Sequence, residues 1–322
     1  MSKRRKHVVP PRVCDETIVC EVGARFVRLG YISKDVFEEF EIGSNSSDSL
    51  EAAFSSFLGR RALSSLNSGE TYPGSVLLTT HASVDVEFFF EKLNVARLSV
   101  CSGAVLALAA RGVRTGLVVD SGECATRVTP VFEGYVQQSA SKSLSVGGRD
   151  ITNRLVDLLK RSDSCSFGKD LFSFFDQAKK QLCYIPTNID EERHVYSCTH
   201  SLDKRLVLPD GCLVIVGAER FLAGEIMFHP KYMNEASLEL VGVSRLIGES
   251  VESCAVDLRS EMLNNILLAG GNTCLRGFAD RIRIDVPECE IDQDPDRQNL
   301  IFRGAKALAV THSEDDKFWT CR

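Results

Sequence analysis

The chain has 322 residues, 44% hydrophobic and 25% charged, with a formal net charge of −6. Those values fit a soluble globular protein of two domains or one large one, and the acidic balance argues against a general nucleic-acid footprint. No apolar run approaches the roughly 18–20 residues that span a bilayer, and no apolar core follows the basic N-terminal residues, as a secretory signal requires.

The segment "SKRRKH" at residues 2–7 reverses the overall charge locally. It reads either as a solvated tail or as a nuclear import signal or anionic contact. Twelve cysteines are scattered without a C-x-x-C pair, several among apolar neighbours, as in "TIVCEV", "LSVCSG" and "QLCYIP". They predict reduced, buried thiols of the cytosol or nucleus rather than a zinc site. The six histidines form no H-E-x-x-H pattern.

In chain order, "ETIVCEVGARFVRLGYI" (16–32) predicts a hairpin, because β-branched and polar residues alternate around a turn at Gly23. "IGSNSSDS" (42–49) reads as a loop, and "LEAAFSSFLGRRALSSL" as a helix interrupted at Gly59. "GSVLLTTHAS" (74–83) is a buried strand with a polar turn. A helix at "VEFFFEKLN", a strand at "ARLSVCSG" and a small-residue helix at "GAVLALAARG" follow. "GLVVDSGECATRVTPVFEGY" (116–135) is a second hairpin, turning after Asp120 through Ser121 and Gly122. "GGRDITNRLVDLLKRS" carries Ile151, Leu155, Leu158 and Leu159 on one helical face. "LFSFFDQAKKQLCYIP" is a helix that stops near Pro186, and "RLVLPDGCLVIVGAERF" is a hairpin turning at "PDG". "ASLELVGVSRLIGESVESC" and "VDLRSEML" are helical, "NNILLAGGNTCLRGFADRIRIDV" is strand, glycine turn and helix, and "NLIFRGAKALAV" is a closing strand and helix. The alternation predicts an α/β architecture with mixed sheets.

Two hairpins share a plan. Glu21-x-Gly23 matches Asp120-x-Gly122, each acid ending an apolar strand before a glycine and a second strand. Glycine lets backbone N–H groups approach phosphate oxygens. The acid can hold a divalent cation through water, because Mg²⁺ tends to keep its hydration shell. "LLAGGNTCLRG" (267–277) adds a third glycine turn opening a helix, another place for an anion or a nucleotide sugar. The repetition suggests two related halves facing a cleft.

Taken together, "VLLTTHA", "LVVDSGECATRVTPVFEGY", "GGRDITNRL", "KKQLCYIP", "LPDGCLVIVGAERF" followed by "FHP", and "LLAGGNTCLRGFADRI" resemble actin and the actin-related proteins. The similarity runs from about Thr17 to Trp319, with a deficit near residues 31–50, and is most specific over 117–158 and 206–281. The resemblance implies the two-lobed fold shared with Hsp70 and the sugar kinases. Duplicated mixed-sheet domains close on ATP or ADP with Mg²⁺ or Ca²⁺, and the upper subdomain of the first lobe is reduced. The implied division is a basic tail at 1–15, a first lobe at 16–115 plus 300–322, and a second lobe at 116–299.

Carried over position by position, the resemblance implies cofactor contacts from Gly23, Arg28, Asp120, Ser121, Gly122, Lys179, Gly270, Gly271, Asn272 and Arg297, with Glu21 and Asp120 facing the metal. Departures are concentrated at the phosphates. The family's Asp-Ser-Gly-Asp-Gly becomes Asp120-Ser-Gly-Glu-Cys124, and a water-orienting histidine becomes Arg127, which cannot act as a base. Asp-Asn-Gly-Ser-Gly becomes Glu21-Val-Gly-Ala-Arg25, so Ala24 has no hydroxyl for the terminal phosphate; Arg28 replaces a lysine, and Lys180 replaces the acid that contacts the ribose. The glutamine that positions the attacking water aligns with Gly103, which has no side chain to hold water.

The expectation is therefore a divergent actin-related protein that is not an enzyme beyond a weak residual ATPase. It would be a non-polymerising structural subunit of a cytoskeletal, dynactin-like or chromatin-remodelling assembly, its partners being other actin-family or complex subunits. No long homopolymers, no sequence-specific nucleic-acid contact and no membrane are expected, and the location is the cytoplasm, cytoskeleton or nucleus. The alternative is a polymerising actin-like cytoskeletal ATPase.

Overall fold

The computed structural model describes residues 17–34, 36–42, 47–67, 72–80, 86–93, 95–162, 171–199, 201–233 and 239–321. The basic segment at 2–7 and the turn at 81–83 lie outside them. Two compact units divide the chain: Met1–Ala109 with Phe302–Arg322, and Ala110–Ile301. The chain starts in the first unit with β1 (Ile18–Val22), β2 (Phe26–Tyr31), β3 (Glu38–Glu41), α1 (Ser47–Asn67), β4 (Tyr72–Thr80), α2 (Val86–Glu91), β5 (Val95–Val100) and α3 (Gly103–Ala110). The second unit carries β6 (Gly116–Ser121), β7 (Thr126–Phe132), β8 (Tyr135–Val136), β9 (Lys142–Leu144), α4 (Gly148–Ser162), α5 (Phe172–Leu182), α6 (Ile189–Thr199), β10 (Lys204–Val207), β11 (Leu213–Val216) and α7 (Glu219–Leu222). It continues through α8 (Val243–Ser253), α9 (Val256–Leu263), β12 (Ile266–Ala269), α10 (Phe278–Asp285) and β13 (Ile291–Asp292). Helix α11 (Leu300–Thr311) leads back to β14 (Thr320–Cys321) in the first unit.

The first unit's sheet runs β14-β5-β4-β1-β2-β3. Strand β1 is parallel to β4 and antiparallel to β2, so the sheet is mixed. Ile18, Cys20 and Val22 face one side, where Phe54 of α1 and Phe88 and Phe89 of α2 complete a core. Val19 and Leu77 alternate to the other side and are also buried, so both faces are covered.

The second unit repeats the plan. Its sheet runs β13-β12-β6-β7-β8, with β9 also on β7. Strand β6 is parallel to β12 and antiparallel to β7, as β1 is to β4 and β2. Ile151, Leu155 and Leu159 of α4 pack with Leu117, Val119 and Val128 of the sheet in one core. Between β7 and β8, Glu133 (φ 51°) and Gly134 (φ 85°) form a two-residue turn. Two successive positive φ values match the twist of a tight hairpin. The two mixed-sheet lobes with flanking helices have the fold shared by actin, Hsp70 and the sugar kinases.

Several elements differ from the sequence reading. Ser47–Ser49 is already helical rather than loop, with Asp48 in the first turn, where the helix dipole favours an acid. The same helix runs through Gly59 without a break. Residues 239–242 are not helical; α8 starts after Gly242, where a Cβ would overlap the backbone of Phe228. No strand forms at Asn299–Phe302, because Phe302, Ala305 and Ala309 bury one helical stripe of α11. The cysteines are not uniformly buried. Cys20, Cys183 and Cys254 are, whereas Cys124, Cys198, Cys212, Cys274 and Cys321 are exposed, and all the described cysteines are free thiols. No helix among the described residues is long and apolar enough to cross a membrane.

Candidate functional site

In the second unit, the acid-and-glycine corner is built by the β6–β7 hairpin. Asp120 stands opposite Arg127 and Ser121 opposite Thr126, and the Gly122 N–H closes the turn onto Ala125 O at 3.0 Å. The Ser121 and Thr126 hydroxyls, both buried, lie 2.8 Å apart, and Thr126 donates onward to Val146 O. The α4 turn docks on this corner: Gly148 N donates to Gly122 O and Arg149 N to Glu123 O. Gly147 has no room for a side chain, since a Cβ would lie 2.5 Å from Glu123 O.

The third glycine turn reaches the same corner. Asn272 donates its amide to Ser121 Oγ at 3.1 Å and to Gly122 O at 2.7 Å. Gly270 has φ +85°, and a Cβ there would overlap Ser121 O and lie 2.7 Å from Asp120 Oδ1. Only glycine satisfies both that dihedral and that approach. A Cβ on Gly148 would fill the space between Asn272 Oδ1, Glu123 Oε2 and Lys179 Nζ. Glycines thus let three turns close tightly around a buried polar seam, and Gly271 alone of this turn borders open space.

The cations around this corner are engaged by the protein itself. Lys179 is 3% exposed. Its ammonium donates to Gly148 O at 2.9 Å, Thr152 Oγ1 at 3.0 Å and Asp176 Oδ1 at 2.7 Å. An ammonium has three N–H donors, and each has an acceptor. Burial pushes the Asp176 carboxyl upward, but the hydrogen bond and charge of Lys179, with Lys180 beyond, bring it below the usual carboxylate range. Lys180 faces Asp176 at 3.3 Å. Arg297 clamps the glycine turn from the far side, donating to Thr273 O and Asp294 O. Its own carbonyl accepts from Gly270 N.

The first unit's corner has the same backbone plan and different side-chain partners. Gly23 N donates to Phe26 O at 2.9 Å. Glu21, Arg28 and Glu39 lie opposite one another across β1, β2 and β3. Arg28 reaches Glu39 at 2.7 Å and Glu21 at 3.4 Å, and Arg25 reaches Glu41 at 2.8 Å. Burial opposes the charge on Arg28, yet the two carboxylates outweigh it and raise its pKa. Gly103 is buried at the first position of α3.

The structure therefore gathers Asp120, Ser121, Gly122, Lys179, Gly270, Gly271, Asn272 and Arg297 around one corner of the second unit, and Glu21, Gly23 and Arg28 around one corner of the first. Glu21 and Asp120, the acids assigned to a cation, belong to different units. Among the described residues no three His, Cys, Asp or Glu side chains gather as a metal site. A cation that keeps its water shell needs no such group, and Asp120, whose Oδ1 lies against Gly270 at the end of β6, has the chemistry for that role.

A family profile described as Actin matches residues 79–167 and 169–317. The chain belongs to the actin family. The matched residues of this actin-family chain include the whole second-unit corner and leave out Glu21, Gly23 and Arg28. Actin-related protein 2 of Acanthamoeba castellanii is 31% identical over 252 residues, 73% of this chain and 64% of that protein. Actin-related protein 2 of Saccharomyces cerevisiae is 33% identical over 251 residues, 72% of this chain and 63% of that protein. The chain thus spans less than two thirds of the length of either relative.

Sequence reasoning missed Asp176, Thr152, Glu39 and Glu41. Asp176 was discoverable, since it precedes Lys179 by three residues on one helix, within reach of a side-chain pair. Thr152 and the β3 glutamates gave no such signal, because their partners are distant in sequence.

Proposed function

We propose that this actin-family chain is a non-polymerising structural subunit of a multiprotein assembly, binding ATP or ADP chiefly through its second unit and hydrolysing it very slowly. The observation that carries the reading is the contrast between the corners. In the second, Gly147, Gly148 and Gly270 let the β6–β7 turn, α4 and the glycine turn close on one another without intervening side chains, bridged by Asn272, and Gly271 borders open space. In the first, both arginines lie on the chain's own carboxylates. Asp120 would hold Mg²⁺ or Ca²⁺ through water, and the backbone around Gly122 and Gly270–Gly271 would take the phosphates and sugar. The cation supplies charge neutralisation when bound.

Slow hydrolysis follows from positioning. In-line attack on phosphorus needs an oriented water, and Gly103 offers no group to orient one. The non-polymerising part rests on the short stretch between Tyr31 and β4, where the acidic strand β3 and helix α1 stand in place of an apolar plug. Symmetric filaments need matching surfaces at both ends of a subunit. The partners are other subunits of the assembly, in the cytoplasm, cytoskeleton or nucleus.

Nucleotide extracted from purified protein and identified by ion-exchange chromatography tests the pocket; adenine nucleotide near one per chain is expected. Steady-state phosphate release is expected to stay far below that of a polymerising actin, and a matching rate would refute the slow-hydrolysis reading. Filaments of the pure protein under the electron microscope would refute the non-polymerising one. Co-purification from the native cell names the assembly.

A further inference from the structure

The second unit holds a cavity whose lining shares no residue with the Asp120 corner. It encloses about 510 Å³ between the segment that follows α7, the start of α8 and α10, a volume within the range of small-molecule sites. Every lining residue belongs to that one unit. Phe228, Pro230, Leu240 and Val241 supply an apolar wall. Gly242 packs so closely on the Phe228 carbonyl that a Cβ would overlap it, which joins the two segments that carry this wall.

The polar side is a charge network with one buried donor to spare. Arg281 is 6% exposed. Its Nε donates to both Asp285 oxygens at 3.1 Å, and its Nη1 to Pro186 O at 3.0 Å and Glu225 Oε1 at 3.3 Å. Nη2 has no acceptor among the described residues, and Arg281 lines the cavity. The acids are already engaged, since Asp285 also accepts from Ser244 Oγ at 2.8 Å and Glu225 from His229 Nδ1 at 2.6 Å. Lys231, exposed in the lining, has its ammonium over the Tyr232 ring at 5.4 Å and no carboxylate partner among the described residues. Arg245 pairs with Glu249 of its own helix at 3.0 Å, and such exposed pairs contribute little. Gly242 gives α8 no side-chain cap, so the first N–H groups of that helix add donors at its positive end. The capacity left over is therefore donor capacity, beside an apolar wall.

We propose that this cavity binds a small monocarboxylate with an apolar body. The carboxylate accepts from Arg281 Nη2, Lys231 and Arg245, and the body lies against Phe228, Pro230, Leu240 and Val241. A buried N–H without an acceptor is costly, and a planar carboxylate matches the edge of a guanidinium. One negative charge is favoured over two or more, because the fully buried Glu225 and Asp285 stand on Arg281 and oppose further negative charge. The inference does not depend on nucleotide binding at the Asp120 corner.

The test titrates the full chain with hydrocinnamate, phenylpropanol, phenylpropylamine and phenyl phosphate, followed by saturation-transfer NMR. The first three share one apolar body and differ in head group. Hydrocinnamate is expected to bind with a dissociation constant on the order of 1 mM, as fragment-sized ligands do, and the other three about tenfold more weakly or not at all. Lys231→Met/Arg245→Met should weaken hydrocinnamate by roughly tenfold and leave phenylpropanol unchanged. Leu240→Ser should weaken both by about threefold, from lost apolar contact. Both residues of the double variant and Leu240 are exposed, and a thermal melt checks that each variant is folded. Arg283→Met removes an exposed cation of α10 outside the lining and should change nothing.

Hydrocinnamate binding that is lost in the double variant and kept in Arg283→Met supports the inference. Equal binding of acid, alcohol and amine overturns it, as does tighter binding of phenyl phosphate. An equal loss in Arg283→Met overturns it by reducing the effect to net charge. No hydrocinnamate bound by the folded wild type overturns it outright.

Discussion

Replacing Lys179 with methionine removes an ammonium whose three N–H donors are all taken by Gly148, Thr152 and Asp176. Asp176 is 7% exposed and would remain as a buried carboxylate without its shortest ion pair, the exposed Lys180 at 3.3 Å and the Thr152 hydroxyl at 3.4 Å still beside it. Breaking a buried pair in this way costs about 3–5 kcal/mol. In a domain of ~150–250 residues each kcal/mol moves the melting midpoint by roughly 2–4 °C. The second unit should therefore melt on the order of 10 °C lower. Calorimetry with nucleotide stripped from the protein measures this directly. A companion variant, Asp176→Leu/Lys179→Met, removes both charges and should recover most of the loss, because an apolar pair of similar volume leaves no buried charge unpaired. A lysine that serves only a ligand behaves differently: its loss weakens nucleotide affinity and leaves the nucleotide-free melt within about 2 °C of wild type, as a surface substitution does. That second pattern would refute the assignment of Lys179 as an internal staple.

Asp176 also gives the acid limb a defined sign. Its folded pKa lies below the ordinary value, so its contribution is complete above the unfolded carboxyl's pKa near ~3.9 and disappears as pH falls through the folded one. Asp176→Asn should lower stability at neutral pH and flatten its fall below about pH 4, read from urea unfolding across pH. Gly270→Ala places a Cβ against Ser121 O at φ +85°. A cost of at least about 1–3 kcal/mol is expected from the dihedral alone, together with loss of nucleotide binding, and an unchanged melt and affinity would contradict the close approach. Glu225 is fully buried, held by Arg281 at 3.3 Å and by His229 Nδ1 at 2.6 Å. Arg281→Leu should destabilise by about 3–5 kcal/mol, and Glu225→Gln/Arg281→Leu by less, as measured by equilibrium unfolding.

What was legible in the sequence had local causes. The β6–β7 hairpin announced itself because alternation and the Asp120–Gly122 turn lie within one stretch, and α4 because Ile151, Leu155 and Leu159 recur at helical spacing and are all buried. The glycine turn at 270 was readable from its glycine pair, and a φ of +85° with crowding against Ser121 O supplies the physical reason for glycine there. Strands β3, β13 and β14 were not readable. They are four, two and two residues long, and such segments become strands only through partners far along the chain. Helix α6 buries Ile189 alone, so it has no apolar stripe to detect. The protein partners of Lys179 and Arg28 were hidden for a related reason. A basic residue near a glycine turn looks available until the fold supplies acceptors, as α4 does for Lys179 and β3 does for Arg28.

The ends of the first unit's sheet have a consequence of their own. One border is the glutamate-rich β3 and the other is the two-residue β14. A foreign segment seeking to add itself by main-chain pairing at β3 would meet a row of glutamates, and charges on an edge strand discourage such pairing. That border of the lobe is thus guarded against sticking to copies of itself while half-made or partly opened.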